Sequence, residues 1–287
     1  MRVFAISDLH LDHKSNWEAL QKLPAHADDW LILAGDICNE SELLDQGLDR
    51  LTGLFRHLVW VPGNHELWIT STSGESSSVE KYQRLVEICR RHGVFTPEDD
   101  FPIVRDDEGQ LHRIAPLHLL YDYSFRPAHI AEQDAVAWAR EDGILCRDEQ
   151  LIAPAPFASK AEWCRARVDY SLQRLQACDD GIPLILVNHF PLRQDLVRLR
   201  RIPRFSIWCG TRASEDWHRR FGAEVVVSGH LHLRATDYRE GVRFEEVSLG
   251  YPRDWQREKN MDLYLREILP GPKEKHENAG PFWRRWR

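Results

Sequence analysis

The sequence predicts an α/β fold built on parallel strands, and three observations carry that expectation. Short β-branched apolar runs lie at residues 2–7, 30–34, 58–61, 184–188 and 224–228. Bounded by turn residues, such runs read as buried strands. Helix-like segments at 16–23 and 41–56 separate the first three, and this βαβαβ order implies parallel strands with right-handed crossovers. Finally, each run ends in the same kind of phrase, a turn followed by Asp, His or Asn. The phrases are Ser7-Asp8-Leu9-His10, Gly35-Asp36, Gly63-Asn64-His65, Asn188-His189 and Gly229-His230-Leu231-His232.

The remaining elements follow in order. Residues 70–78 form a Ser/Thr-rich polar loop, and Ser78 is placed to cap the next helix, which carries Val79, Tyr82, Leu85, Val86 and Cys89 on one face. Strand-like pieces follow at 101–104 and 111–120. Residues 121–159 are irregular and read as a lid or insertion over the site. A helix over 160–178 precedes the strand at 184–188. Strands near 224–228, 234–238 and 242–247 close a domain spanning 1–269. Residues 270–287 read as a loosely docked tail, with partner or membrane contact by Phe282-Trp283-Arg284-Arg285-Trp286-Arg287 as the alternative.

Composition narrows the function classes. The chain has 287 residues and a net charge of −7, from 45 acids against 38 bases. That balance disfavours bulk nucleic-acid binding. No apolar run reaches the roughly 20 residues needed to span a bilayer. The first strand begins at Arg2 or Val3, which leaves no room for a secretory leader. The six cysteines show no CxxC spacing and are expected to be reduced, structural thiols of a cytoplasmic protein.

Carboxylates and imidazoles at several strand ends would gather in one crevice outside the carboxyl edge of a sheet. Bare carboxylates crowded there repel one another and lose hydration, and metal cations relieve both problems. Asp8, His10, Asp36, Asn64, His189, His230 and His232 are the candidate ligands. Asp36 has two oxygens able to bridge two ions. A mixed O/N donor set without thiolate suits Mn, Fe, Zn or Co. Two such ions would activate a water and clamp a phosphoryl oxygen. His65, next to Asn64, can turn towards a substrate and protonate a leaving oxygen, with Glu66 as a candidate to orient it.

The motif order DxH, GD, GNHE, H, GHxH resembles that of the calcineurin-like metallophosphoesterase superfamily. The resemblance implies a four-layer αββα sandwich of two mixed sheets, with the active site at the C-terminal strand ends. It implies one metal on Asp8, His10, Asp36 and His232, and another on Asp36, Asn64, His189 and His230. It also implies catalytic roles for His65, Asp36 and Asn64. One position departs from the pattern: many members carry an acid three residues after the bridging Asp, where this chain has Asn39. Glu40 or Glu66 then becomes the candidate partner of His65.

Longer phrases outside the metal motifs are similar to one branch, the phosphopantetheinyl hydrolases that act on carrier proteins. They are Asp29-Trp30-Leu31-Ile32, Val61-Pro62-Gly63-Asn64-His65-Glu66-Leu67-Trp68, Leu119-Leu120-Tyr121-Asp122-Tyr123-Ser124-Phe125, Phe205-Ser206-Ile207-Trp208-Cys209-Gly210-Thr211 and the stretch from Gly241 to Trp255. This similarity implies hydrolysis of the phosphodiester joining 4′-phosphopantetheine to a carrier-protein serine, with two metal ions, Mn or Fe foremost, as cofactors. Acyl and peptidyl carrier proteins are typically acidic. Arg193, Arg198, Arg200, Arg201 and Arg204 follow His189 with one acid among them, Asp195, so Arg193, Arg200 and Arg201 are candidate docking residues. Tyr121, Tyr123, Phe125, Phe205 and Trp208 either line a pantetheine channel or pack in the core. Rival readings are a nucleotide phosphodiesterase, a phosphoprotein phosphatase, a nuclease and a non-catalytic scaffold. The intact ligand set argues against the scaffold, and the acidic composition against the nuclease.

Overall fold

The computed structural model describes residues 1–256 and 258–271, and the backbone of 284–285. Most of the expected tail therefore lies outside the described residues. The N-terminal part alternates strand and helix: β1 (Val3–Ile6), α1 (Lys14–Gln21), β2 (His26–Leu33), α2 (Ser41–Thr52), β3 (Phe55–Trp60) and α3 (Ser78–Arg91). Next come β4 (Ile103–Arg105), β5 (Leu111–Pro116), α4 (Ala135–Glu141), α5 (Asp148–Leu151) and α6 (Lys160–Gln176). The last part holds β6 (Leu184–Val187), α7 (Trp217–Arg220), β7 (Ala223–Ser228), β8 (Ala235–Arg239), β9 (Val242–Glu246), β10 (Arg266–Leu269) and β11 (Arg284–Arg285).

These strands form two mixed sheets. One has the order β10-β1-β2-β3, the other β11-β8-β9-β7-β6-β5-β4. β1, β2 and β3 are parallel, as are β5, β6, β7 and β9; β10, β8 and β4 run against their neighbours. Alternation along each strand explains the layering. Val3 and Ala5 of β1, Ile32 of β2, Val59 of β3, Ile185 and Val187 of β6, and Val225 and Val227 of β7 pack together between the sheets. Their sequence neighbours Phe4, Ile6, Leu31, Leu33, Leu184, Leu186 and Val226 belong to the second cluster, with side chains of α1, α2, α3 and α6. Both faces of each inner strand are thus buried, and this produces near-continuous apolar runs instead of alternation with polar residues.

The helix boundaries show where local chemistry overrides periodicity. The cap of α3 is Ser77, whose oxygen accepts the Glu80 N–H at 3.2 Å. Ser78, the expected cap, already lies inside the helix and donates to the Leu67 carbonyl at 2.6 Å. α2 stops at Thr52 because Phe55 is already paired in β3. Residues 121–159 are less irregular than expected, since they hold α4 and α5. Ala135 and Ala139 of α4 pack with Tyr121, Phe190, Ile207 and Trp208 in a satellite core. All six cysteines are free, and no helix among the described residues is long and apolar enough to cross a membrane.

Candidate metal centre and active site

The strands of both sheets deliver the seven candidate ligands to one place. Asp8 and His10 follow β1, Asp36 follows β2, Asn64 follows β3, His189 follows β6, and His230 and His232 follow β7. Five of these residues adopt positive φ: Asp8 (54°), His10 (41°), Asp36 (54°), His230 (71°) and His232 (53°). A left-handed conformation is uncommon away from glycine, though Asp and His tolerate it best, and it costs on the order of 1–3 kcal/mol where the fold enforces it. Turning the chain this sharply lets both Asp8 and His10, and both His230 and His232, face the same crevice. Glycines make room for the approach. A Cβ on Gly63 would overlap Asp36 Oδ1, and one on Gly229 would overlap Ser7 Oγ and Asp8 Oδ2.

Three groups of donor atoms lie close enough to share a cation: Asp8, His10 and His232; His10, Asp36 and His65; and Asp36, His189 and His230. Asp36 therefore stands between the two halves of the site. Its Oδ1 accepts the His65 N–H at 2.9 Å, and its Oδ2 lies 3.4 Å from His189 Nε2. Asp8 Oδ2 is saturated by Ser7 Oγ (2.6 Å), Ser248 Oγ (2.7 Å) and the His230 N–H (3.0 Å), which leaves Oδ1 facing His232 Nε2 at 2.9 Å.

The residues fit a metal pair on one observation above all. Asn64 Oδ1, His189 Nε2 and His230 Nε2 are buried and have no hydrogen-bond partner. Unpaired buried polar atoms are costly and rare, yet here three converge on one place. Asn64 and His189 are also aimed by their other ends, as is the further candidate ligand His232. His189 Nδ1 donates to the Ala34 carbonyl at 2.9 Å, and His232 Nδ1 meets Asp254 Oδ2 at 3.0 Å. Asn64 Nδ2 donates to Asp148 Oδ1 at 3.1 Å, which leaves its oxygen pointing the other way. Metal-binding histidines are oriented through their second nitrogen in this manner.

The electrostatics also call for positive charge. Burial opposes ionisation of Asp36, but the surrounding imidazoles outweigh it and hold the carboxyl well below its usual range. Burial likewise opposes charge on His189 and His232, yet the Asp36 and Asp8 carboxylates outweigh it and push these imidazoles up to about 10. His10 and His230, by contrast, are depressed to about 3 by burial and are neutral donors. Protons on His189 and His232 thus supply the charge that a cation would bring.

His65 opens a short helical turn, where its ring packs on Trp68 with centroids 3.7 Å apart. Its Nδ1 meets Asn39 Oδ1 at 2.8 Å. An amide oxygen only accepts, so Nδ1 carries the hydrogen, and Nε2 faces Asp36 Oδ2 (3.9 Å) and Tyr251 Oη (3.5 Å). This corrects both expected partners. Glu66 is fully occupied by the backbone N–H groups of Asp36, Ile37 and Gly63. Burial and the Asp36 carboxylate push its own pKa to about 7. Glu40 accepts instead from Thr72 at 3.0 Å.

Two supporting residues carried no signal in the sequence. Asp148 is fully buried and accepts from Trp68 Nε1 at 2.7 Å as well as from Asn64. It brings the expected insertion into the site. Lys81 of α3, only 1% exposed, donates to the carbonyls of Asn39 (2.7 Å) and Trp68 (2.6 Å). Those residues are the hydrogen-bond partner and the packing partner of His65. Only the burial of a lysine inside an apolar helix face marks Lys81, and one sequence does not show burial.

The expected substrate-contact residues are scattered in the structure. A cavity of about 630 Å³ opens over the site, and its walls include His65, Trp68, Arg147, Arg201, Phe205 and Tyr251. Of the named substrate residues, Arg201 alone lines it among the described residues. Arg193 is committed to Asp195 (2.9 Å) and Arg200 points to solvent. Arg198 pairs with Asp237 (2.6 Å), and Arg204 with Glu141 (2.8 Å) and Asp142 (2.7 Å). Three of the five arginines of the run are therefore paired with acids, Arg198 and Arg204 with acids far away in sequence. Trp208 is wholly buried, and it and Tyr123 both donate to Glu149 Oε1, at 2.7 and 2.9 Å. They belong to the satellite core, as do Tyr121 and its neighbours, and Phe205 is the one member of the aromatic set at the cavity wall.

A two-sheet sandwich with this donor set at its strand ends defines a class. The chain belongs to the calcineurin-like phosphoesterase family, which it matches over residues 1–234. Members of that family use a dinuclear metal site, and this chain is a metal-dependent phosphoesterase. It is 42% identical over 273 residues to the acyl-carrier-protein phosphodiesterase PptH of Mycobacterium tuberculosis (strain H37Rv), a match covering 94% of this chain and 84% of that protein. The crystal structure of the phosphopantetheinyl hydrolase PptH from Mycobacterium tuberculosis superposes with a TM-score of 0.88 at 41% identity, covering 95% of this chain and 97% of that one.

Proposed function

We propose that this protein hydrolyses the phosphodiester between 4′-phosphopantetheine and the serine of an acyl or peptidyl carrier protein. The observation that carries the reading is the likeness to a carrier-protein phosphodiesterase at 42% identity over nearly the whole chain, combined with a site whose donors converge and whose His65 lines the cavity above them.

Asp8, His10, Asp36 and His232 would hold one ion, and Asp36, Asn64, His189 and His230 the other. The donors are oxygen and imidazole nitrogen without thiolate, which favours Mn or Fe, with Zn or Co as alternatives. When bound, the ions supply the Lewis acidity that activates water and offsets phosphoryl charge. The remaining work falls to side chains. Water attacks phosphorus, the bond from phosphorus to the serine oxygen breaks, and that oxygen takes a proton from His65 Nε2. Asn39 holds the Nδ1–H, so the imidazolium form of His65 presents its second proton at Nε2 for this transfer, and the proton that the attacking water releases restores it. Asp148 holds Asn64, and Trp68 holds the His65 ring plane.

The test is the intact mass of a holo carrier protein incubated with the purified protein and Mn²⁺. The reading expects conversion to the apo form. An unchanged holo carrier alongside hydrolysis of a simple aryl phosphodiester would retain the metallophosphoesterase and discard this substrate.

A further inference from the structure

The cavity mouth differs from the rest of the surface. Across a chain of net charge −7, three arginines from separate segments stand on its wall: Arg147 before α5, Arg201 before the Pro203–Trp208 turn, and Arg253 after the Gly250 turn. All three are exposed. Arg147 lies over the Trp68 ring at 5.2 Å and Arg253 over the Tyr251 ring at 5.4 Å, so both are held on aromatic platforms next to His65 and His10. Arg253 lies 3.7 Å from Asp254, which is already engaged by His232. Asp36 and Asp148 lie buried at the floor.

The same rim carries exposed apolar side chains. Leu145 is 70% exposed and Ile202 is 38% exposed, and both line the cavity. The other large exposed apolar residues named among the described residues, Ile103 and Leu263, are not part of this rim. Apolar anchors ringed by arginine are the composition of a protein-recognition surface. A small phosphodiester reaching the floor would need neither.

We propose that Leu145 and Ile202, with Arg147, Arg201 and Arg253, form a docking collar for the protein part of the substrate, an acidic carrier face with an apolar residue beside the modified serine. This rests on the carrier-protein reading above. The collar replaces the continuous arginine run as the docking element, because most of that run is paired internally. Its arginines steer an acidic partner, and its two apolar residues anchor it over the site.

The test compares wild type with Leu145→Glu, Ile202→Glu and the double variant on three substrates: a holo carrier protein, the phosphopantetheine diester of a blocked serine, and an aryl phosphodiester. Both sites are exposed, so the fold tolerates the change, and bound metal is measured for each. The collar predicts that kcat/KM on the holo carrier falls about tenfold for each single variant and further for the double, through KM. It predicts both small substrates within twofold of wild type, and a salt-dependent rate for the carrier only. Unchanged carrier kinetics in the variants overturn the collar while leaving the function intact. An equal loss on the blocked-serine diester also overturns it, by assigning these residues to the pantetheine arm. Failure of wild type to convert the carrier at all overturns the function reading, and the collar with it.

Discussion

Replacing Asn39 by Asp probes the His65 arrangement directly. Asn39 Oδ1 accepts from His65 Nδ1 at 2.8 Å. A carboxylate in the same place keeps that bond and adds an opposite charge to the imidazolium. Two unit charges about 4 Å apart interact by about 4 kcal/mol at an effective dielectric of about 20, equivalent to nearly 3 pH units at about 1.36 kcal/mol per unit. Asp12 reduces this, since its carboxylate already accepts the Asn39 backbone N–H at 3.0 Å and repels a second carboxylate. The expected effect is an upward move of about 1–3 pH units in the alkaline limb of kcat/KM on an aryl phosphodiester. Metal content should stay as in wild type. An unmoved alkaline limb, with activity and metal retained, would refute the idea that His65 is the proton donor governed through Asn39.

Other outcomes follow from neighbouring contacts. Lys81→Met leaves the Asn39 and Trp68 carbonyls without their shared donor and lets the His65 support drift; kcat should fall about 10–100-fold with KM and metal content unchanged, and partial recovery in Lys81→Arg would separate positioning from simple misfolding. Asp148→Ala frees the Asn64 amide, so metal affinity measured by chelator competition should weaken about 10–100-fold at one of two sites. His118 is buried with both ring nitrogens unpartnered, and burial depresses its pKa well below the ordinary value. The unfolded chain then takes up a proton below about pH 6.5 that the folded chain refuses, and stability falls as pH drops through that value. At pH 5 the loss reaches at most about 2 kcal/mol, the limit for an imidazole of ordinary pKa that stays neutral in the fold, so His118→Leu should gain more over wild type in urea melts at pH 5 than at pH 7.5; equal gains at both values would refute it.

The sequence made the site legible and its surroundings much less so. Asp8, Asp36, Asn64, His189 and His230 were visible because each terminates an apolar strand, and strand ends are where a parallel sheet exposes its chain. Of these, Asp8, Asp36 and His230 also carry a positive-φ backbone. β10 passed unnoticed because a short edge strand reading Arg266-Glu267-Ile268-Leu269 has no apolar run; its arginine is paid for by Glu245, 2.8 Å away and 21 residues earlier. Arg198 and Arg204 misled for a related reason. A local count of charges finds one acid near them, while the fold brings Asp237, Glu141 and Asp142 from elsewhere. Tyr123 and Trp208 illustrate a further ambiguity, since an aromatic that packs a core and one that lines a channel are the same letters. Asn39 was readable as a departure, but only the geometry shows that the amide keeps the contact an acid would make.

The most direct measurement is the metal content of the wild-type protein and of Asp36→Asn, by elemental analysis after reconstitution with Mn²⁺. The account predicts two ions per wild-type chain and at most one in the variant, because Asp36 belongs to two of the three donor groups, one with His10 and one with His189 and His230, and is the ligand proposed for both ions. Unchanged loading in Asp36→Asn would contradict the bridged two-metal centre on which the proposed chemistry rests.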